Sequence, residues 1–357
     1  MRRAAFAPAA AGLAAAWLAT AVPARAQAPA ARRLDLRLDT TEAVAVLDIL
    51  AKEQAHRPVD SADWARLFAS APYRRLRVRE AFMHRAFTDS AFAAFVRSDT
   101  LVARTPALRR TLSDWEAADL AGSAEKAFAY LPPEARIAAA VFPVIKPLTN
   151  SFVFDLQTDA AIFLYLDPSQ TREQFENVVA HELHHVGYAS VSARFDSSIA
   201  GLPPDAHAAA EWVGAFGEGF AMLAAAGGPD VDAHWESPPA ERQRWDRDLA
   251  AFAPDLERVQ HFLLDVANGT LKTDAQRDSA GSTFFGIQGP WYTVGWRMAV
   301  TIEQRFGRAR LIACMFDPPL LLVTYNAAAA EQNRAGGPAL PLWSPQLLAA
   351  LQAGSAR

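Results

Sequence analysis

Cysteine is nearly absent from this chain: Cys314 is the only thiol among 357 residues. No intramolecular disulfide can form and no thiolate cluster can bind a metal, so any fold in an oxidising compartment must rest on a packed core. A surplus of positive charge is also lacking, since the formal net charge is −4. That balance argues against nucleic acid or an anionic membrane surface as the main partner. There is no internal repeat and no low-complexity tract beyond a general alanine bias. What the chain has in quantity is apolar mass. At 51% hydrophobic residues it can build one large domain or two ordinary ones.

The first 26 residues read as a leader rather than as fold. Arg2 and Arg3 precede an apolar run from Ala4 to Val22, and Ala24-Arg25-Ala26 supplies a small-x-small cleavage pattern before Gln27. The expectation is an exported protein, periplasmic or extracellular, with no integral membrane segment once the leader is removed. Loss of Arg2, Arg3 and Arg25 moves the formal net charge from −4 to −7. Residues 27–33 read as a tether.

From Leu34 to about Pro132 the apolar spacing is helical, as in Val44, Val46, Leu47 and Leu50, with turn signals at Arg57-Pro58, Ala71-Pro72 and Thr105-Pro106. Residues 34–135 are therefore expected to form a helical N-terminal region. The texture then changes. IAAAVFPVI (137–145), SFVFDL (151–156) and AAIFLYL (160–166) are rich in β-branched and aromatic residues and read as two or three strands. Tyr165 and Leu166 are candidates for an edge strand that pairs with an extended peptide. Asp167-Pro168 offers one helix start, and Thr171 with Gln174 offers a capping box.

The helix that follows carries VVAHELHHVGYA at residues 178–189. At 100° per residue, Val178, Val179, Leu183 and Val186 form an apolar arc. His181 and His185 lie within about 40° of one another along one edge of that arc. His184 points to the opposite side, toward solvent or a supporting role. Glu182 falls inside the apolar arc, where an amphipathic helix has no structural use for a carboxylate. Metal chemistry accounts for all three placements. Two imidazoles one turn apart bind a single Zn²⁺, and the intervening glutamate serves as general base toward a water. A third ligand is needed, and Glu211 and Glu218 are both candidates, seven residues apart on one further helix. Gly214, Gly217 and Gly219 leave little bulk around them. His207, His234 and His261 have no ligand spacing and read as structural or surface residues.

HELHH followed by GEGFA (217–221) resembles the gluzincin metallopeptidases, in particular the aminopeptidase N and leukotriene-hydrolase type. In those enzymes a second helix carries the third ligand in an asparagine-glutamate-glycine-phenylalanine-alanine motif. The resemblance therefore gives the ligand role to Glu218. GPWYTVGW (289–296) is similar to the family's tyrosine-x-x-glycine element, which implies that Tyr292 stabilises the oxyanion and Gly295 provides close packing. Four departures stand out. The spacer from His185 to Glu218 is 32 residues, position 217 is glycine, Met222 replaces an acidic supporting residue, and no glycine-x-methionine-glutamate-asparagine motif captures an amino terminus. The combination resembles bacterial zinc-dependent peptidase families more closely than the aminopeptidases themselves.

Together these readings predict an α+β fold, predominantly α-helical. A helical N-terminal region would precede a thermolysin-like catalytic region with a small sheet at 136–357. The expected protein is an exported zinc-dependent hydrolase acting on peptide or protein substrates, with His181, His185 and Glu218 on the metal and Glu182 and Tyr292 in catalysis. The rival reading is a non-catalytic exported binding or scaffold protein that keeps the shell, with its zinc structural or absent; a closed site with Glu211 and Glu218 both on the metal would favour it. The leader reading is checked by N-terminal sequencing of the chain recovered from the periplasm or medium of a bacterial host. Gln27 is the expected first residue, and retention in the cytoplasm with an intact start would remove the leader.

Overall fold

Four strands form one mixed sheet in the order β1-β2-β4-β3. β2 (Ile137–Val144) and β4 (Ala160–Tyr165) run parallel at its centre, with Val141 opposite Ile162 and Phe142 opposite Phe163. β1 (Leu34–Leu38) joins β2 in parallel, and β3 (Phe152–Phe154) closes the other edge antiparallel to β4. The structure is a computed structural model and describes residues 33–336 and 339–352. The expected leader at 1–26, and the tether apart from its last residue, lie outside the described residues.

Side-chain alternation divides the sheet between two cores. Val141, Ile162 and Leu164 face the main core, while Phe142, Val144, Ala161 and Phe163 face a smaller one that Leu76 completes. With both faces covered, β2 and β4 read as nearly continuous apolar runs, which is why they stand out in the sequence. β1 corrects the helical reading of residues 34–38. Leu34, Leu36 and Leu38 alternate with Asp35 and Arg37, and burial alternates with them, as expected of an edge strand covered on one face. Tyr165 is corrected too: β4 is flanked by β2 and β3, and the Tyr165 N–H donates to Ser151 Oγ at 3.1 Å. The antiparallel edge is β3.

Helices make up most of the rest, and the fold is α+β and predominantly helical. Pro72 and Pro106 sit in the first turns of helices Ala71–Phe82 and Thr105–Glu116, where a missing N–H costs nothing, so these prolines start helices. Helix Thr41–Gln54 packs on β2 and buries Ala43, Val46, Leu47 and Leu50 in the same core that holds residues as distant as Tyr325 and Leu351. Among the described residues, no helix is long and apolar enough to cross a membrane.

One buried charge-bearing group ties this first helix to the sheet. Glu42 is fully buried, and its Oε2 accepts the Ile145 N–H at 3.0 Å. Burial pushes its carboxyl up from 4.5 to about 8, although the Ile145 N–H and the Lys146 charge pull the other way. A raised pKa means that the fold holds a proton the unfolded chain releases. The associated stability is full below about pH 4.5 and is lost as pH rises through 8. Glu42→Gln keeps the acceptor and removes the titration. Its stability relative to wild type should therefore climb from pH 5 to pH 8.5, by at most about 1.4 kcal/mol per unit. Denaturant unfolding at several pH values checks this; a difference that does not vary with pH counts against it.

Candidate metal centre

Thr171 opens the histidine helix (Arg172–Ala189) with a reciprocal capping box, its Oγ1 accepting the Gln174 N–H while Gln174 Oε1 accepts the Thr171 N–H. Phe175, one turn in, is fully buried and stacks on Trp115 with ring centroids 4.3 Å apart. That contact fixes the helix rotation. His181 and His185 then share one face, with Nε2 atoms 3.1 Å apart.

The carboxylate comes from a separate element. Glu211 and Glu218 do not share one helix as expected, because a 3₁₀ turn at Gly214–Phe216 separates helix Pro204–Val213 from the glutamate helix (Gly217–Ala226). The seven-residue register is lost across that turn. Glu211 is exposed and lies 3.7 Å from His207, whereas Glu218 turns inward from the first turn of its helix. Glu218 Oε2 sits 3.3 Å from both His181 Nε2 and His185 Nε2. Gly227, at φ 89°, ends this helix in the left-handed conformation.

Glu218 is carried to the histidines by a close helix crossing. The glutamate helix lies against the tyrosine helix (Pro290–Phe306) at Gly219 and Gly295. A Cβ on Gly219 would fall 2.0 Å from the Trp296 nitrogen, and one on Gly295 would fall 2.7 Å from the Phe216 carbonyl oxygen. Only glycine fits at either position. The same crossing sets Tyr292, in the first turn of its helix, with its ring centroid 6.3 Å from that of His181 and the two ring planes 14° from parallel. Tyr292 is buried, and Trp291 beside it is anchored through Nε1 to the Gly281 carbonyl.

His181, His185 and Glu218 thus form a three-residue group able to hold a metal ion, with candidate ligand atoms all within 4.8 Å of one another. The fit to zinc is quantitative. Ligand distances of about 2.0–2.1 Å in a tetrahedral arrangement imply donor–donor edges of about 3.3 Å. The observed edges are 3.1, 3.3 and 3.3 Å. Burial by itself would raise the Glu218 carboxyl, but the His185 charge and hydrogen bonds from both imidazoles outweigh it and hold the group well below the usual carboxylate range. It is therefore an anion, the form a cation needs.

Glu182 is partly buried and has no ion pair or hydrogen bond to any described residue. His184 differs from expectation. It is fully buried, because the helix beneath the sheet is enclosed on its far side as well by helix Leu120–Phe128 and the turn after it. Burial, helped by the charges of His185 and His181, pushes it down to about 3, so it is a neutral packing group. Met222 is buried, and no acid stands in its place. His234 is buried on Ser237, and His261 is exposed. Sequence reasoning missed that Gln174, beyond its capping role, donates from Nε2 to the Glu236 carbonyl at 2.6 Å and ties a distant loop to the histidine helix. Nothing in the local pattern signals that contact.

A helix bearing two converging imidazoles, completed by a carboxylate from a second helix, defines a zinc-centred hydrolase class. A family model described as "Putative zinc dependent peptidase (DUF5700)" matches residues 64–334, and the chain belongs to that family. No curated protein and no solved structure matches the chain.

The helix crossing makes its own prediction. Gly219→Ala should force the two helices apart at a cost of roughly 1–3 kcal/mol. It should weaken zinc binding more than Gly217→Ala, since a Cβ at Gly217 meets nothing within 4 Å. Zinc titration of both variants measures this, and equal affinities would show that the crossing does not set the ligand geometry.

Proposed function

We propose that the protein is an exported zinc metallopeptidase of the gluzincin type, hydrolysing peptide bonds with Glu182 as general base. One observation carries the reading: three donor atoms at zinc-like separations, with a partly buried carboxylate next in sequence that no described residue satisfies. A zinc ion held by His181, His185 and Glu218 supplies Lewis acidity, acidifying water and polarising a carbonyl.

The chain's own residues do the rest. Glu182 accepts a proton from the water as its oxygen bonds to the scissile carbonyl carbon. It then delivers that proton to the amine nitrogen as the carbon–nitrogen bond breaks. Tyr292, close over His181, donates its hydroxyl proton in a hydrogen bond to the carbonyl oxygen as negative charge develops there. The leader pattern at residues 1–26 supports a periplasmic or extracellular setting. A closed set with Glu211 beside Glu218 would have favoured the scaffold reading. Glu211 instead faces His207 at the surface, which favours an open, catalytic arrangement.

The test pairs metal analysis with peptide digestion. Glu182→Gln should keep full zinc content and lose about 10²–10⁴ in kcat. Glu218→Gln should lose the zinc itself. A zinc-loaded wild type that cleaves nothing in a diverse peptide library would return the protein to the scaffold class. A Glu182→Gln variant that cleaves at the parent rate would remove the base.

A further inference from the structure

A second cluster of polar groups lies where helix Pro239–Ala250 packs on the tyrosine helix, and it takes no part in holding the metal. Arg244, on helix Pro239–Ala250, is partly buried, and its one hydrogen bond among the described residues is to a neutral group, Nη2 to Gln288 Oε1 at 3.2 Å. No carboxylate of a described residue lies within ion-pair distance, and its buried Nε has no acceptor. His234 stands next to it. This imidazole is buried, its Nδ1 is 2.8 Å from Ser237 Oγ, and the Gln288 side chain that meets Arg244 also lies within its hydrogen-bonding reach. With Nδ1 accepting the Ser237 hydroxyl proton, Nε2 carries a hydrogen. Burial, with the Arg244 charge added, lowers the His234 pKa against the pull of Asp232, so the ring is neutral. Trp245 packs on His234 at 4.9 Å and on Trp296 at 5.8 Å, and both indole N–H groups are buried without an acceptor.

Three N–H donors without acceptors among the described residues, on Arg244, Trp245 and Trp296, one of them on a guanidinium with no carboxylate at ion-pair distance, are costly when left unpaired and suited to an anion. Glu236 Oε2, a buried acceptor without a partner among the described residues, lies toward Lys126, Glu173 and Glu176.

The cluster is tied to the metal centre from two directions. Gln288 lies two residues before the start of the tyrosine helix, whose Tyr292 ring stands over His181. Gln174 holds the Glu236 carbonyl, and Gln174 lies within about 20° of His181 on the helix wheel, about 10 Å along the axis. At about 3.4 Å per extended residue, a peptide lying on the metal reaches this distance within a few residues. Trp235 and Ile287, adjacent in sequence to His234 and Gln288, are 52% and 73% exposed, an apolar surround for a side chain next to the anion.

We infer that Arg244, positioned by Gln288, binds the C-terminal carboxylate of the substrate, so that the enzyme trims short peptides from free C-termini. This rests on the peptidase reading above and narrows its substrate class. The guanidinium fork matches a carboxylate, and an amidated terminus offers it only a neutral oxygen.

The experiment uses the zinc-loaded full chain and two N-acetylated octapeptides ending in Phe, one a free acid and one an amide. Wild type should cleave the acid with a kcat/KM about tenfold or more above that of the amide, chiefly through KM, and within the last few residues. Arg244→Gln should bring that ratio to near one, and Arg244→Lys should retain part of it, with zinc content unchanged in both. A ratio near one in wild type, or an undiminished ratio in Arg244→Gln, overturns the assignment. Equilibrium binding of the same pair to zinc-loaded Glu182→Gln, with and without Arg244→Gln, separates the two proposals. A carboxylate preference in binding without cleavage by wild type keeps the subsite and removes the peptidase reading. No preference in binding removes the subsite whatever the activity.

Discussion

Two glycines, one on each of two crossing helices, set the geometry on which the metal centre depends. Gly219 and Gly295 let the glutamate and tyrosine helices approach until backbone meets backbone. From that contact Glu218 reaches the two imidazoles and Tyr292 stands over His181. A single methyl group at the crossing would displace a ligand and an aromatic neighbour together, because both ride on the same pair of rigid elements. The histidine helix provides the fixed reference, rotationally locked by its capping box and by the stack of Phe175 on Trp115.

The N-terminal helices and the residues around the metal are not independent masses. β1 pairs with β2 in parallel, and helix Thr41–Gln54 packs on β2 from below. Its Glu42 satisfies the backbone at Ile145 directly after that strand. One apolar core runs from Ala43 to Leu351, consistent with a chain that has no disulfides to staple it. The family match likewise begins at residue 64 and ends at 334, spanning both regions.

Polar groups in this molecule divide by what completes them. Glu218 is completed by two imidazoles and, on the zinc reading, by a cation. Glu42 is buried with one backbone donor and is driven toward its neutral form. Arg244, Trp245 and Trp296 carry N–H donors without an acceptor among the described residues. Only the last group is incomplete in a way that a substrate, rather than a metal or a proton, can complete.

The sequence by itself determined whatever depends on short-range periodicity. One turn of helix puts His181 and His185 on one side whatever the tertiary context, and strands buried on both faces announce themselves by unbroken apolar runs. β1 was legible in the alternation of Leu34, Leu36 and Leu38, but five residues with one covered face give a faint signal beside long helical patterns. Tertiary structure decided everything that depends on what stands opposite. The 3₁₀ turn at Gly214–Phe216 separated Glu218 from Glu211, the enclosing helix buried His184, and the order of strands made β3 rather than β4 the antiparallel edge. Local spacing states which way a side chain leaves its own backbone, whereas burial and partnership depend on elements tens or hundreds of residues away.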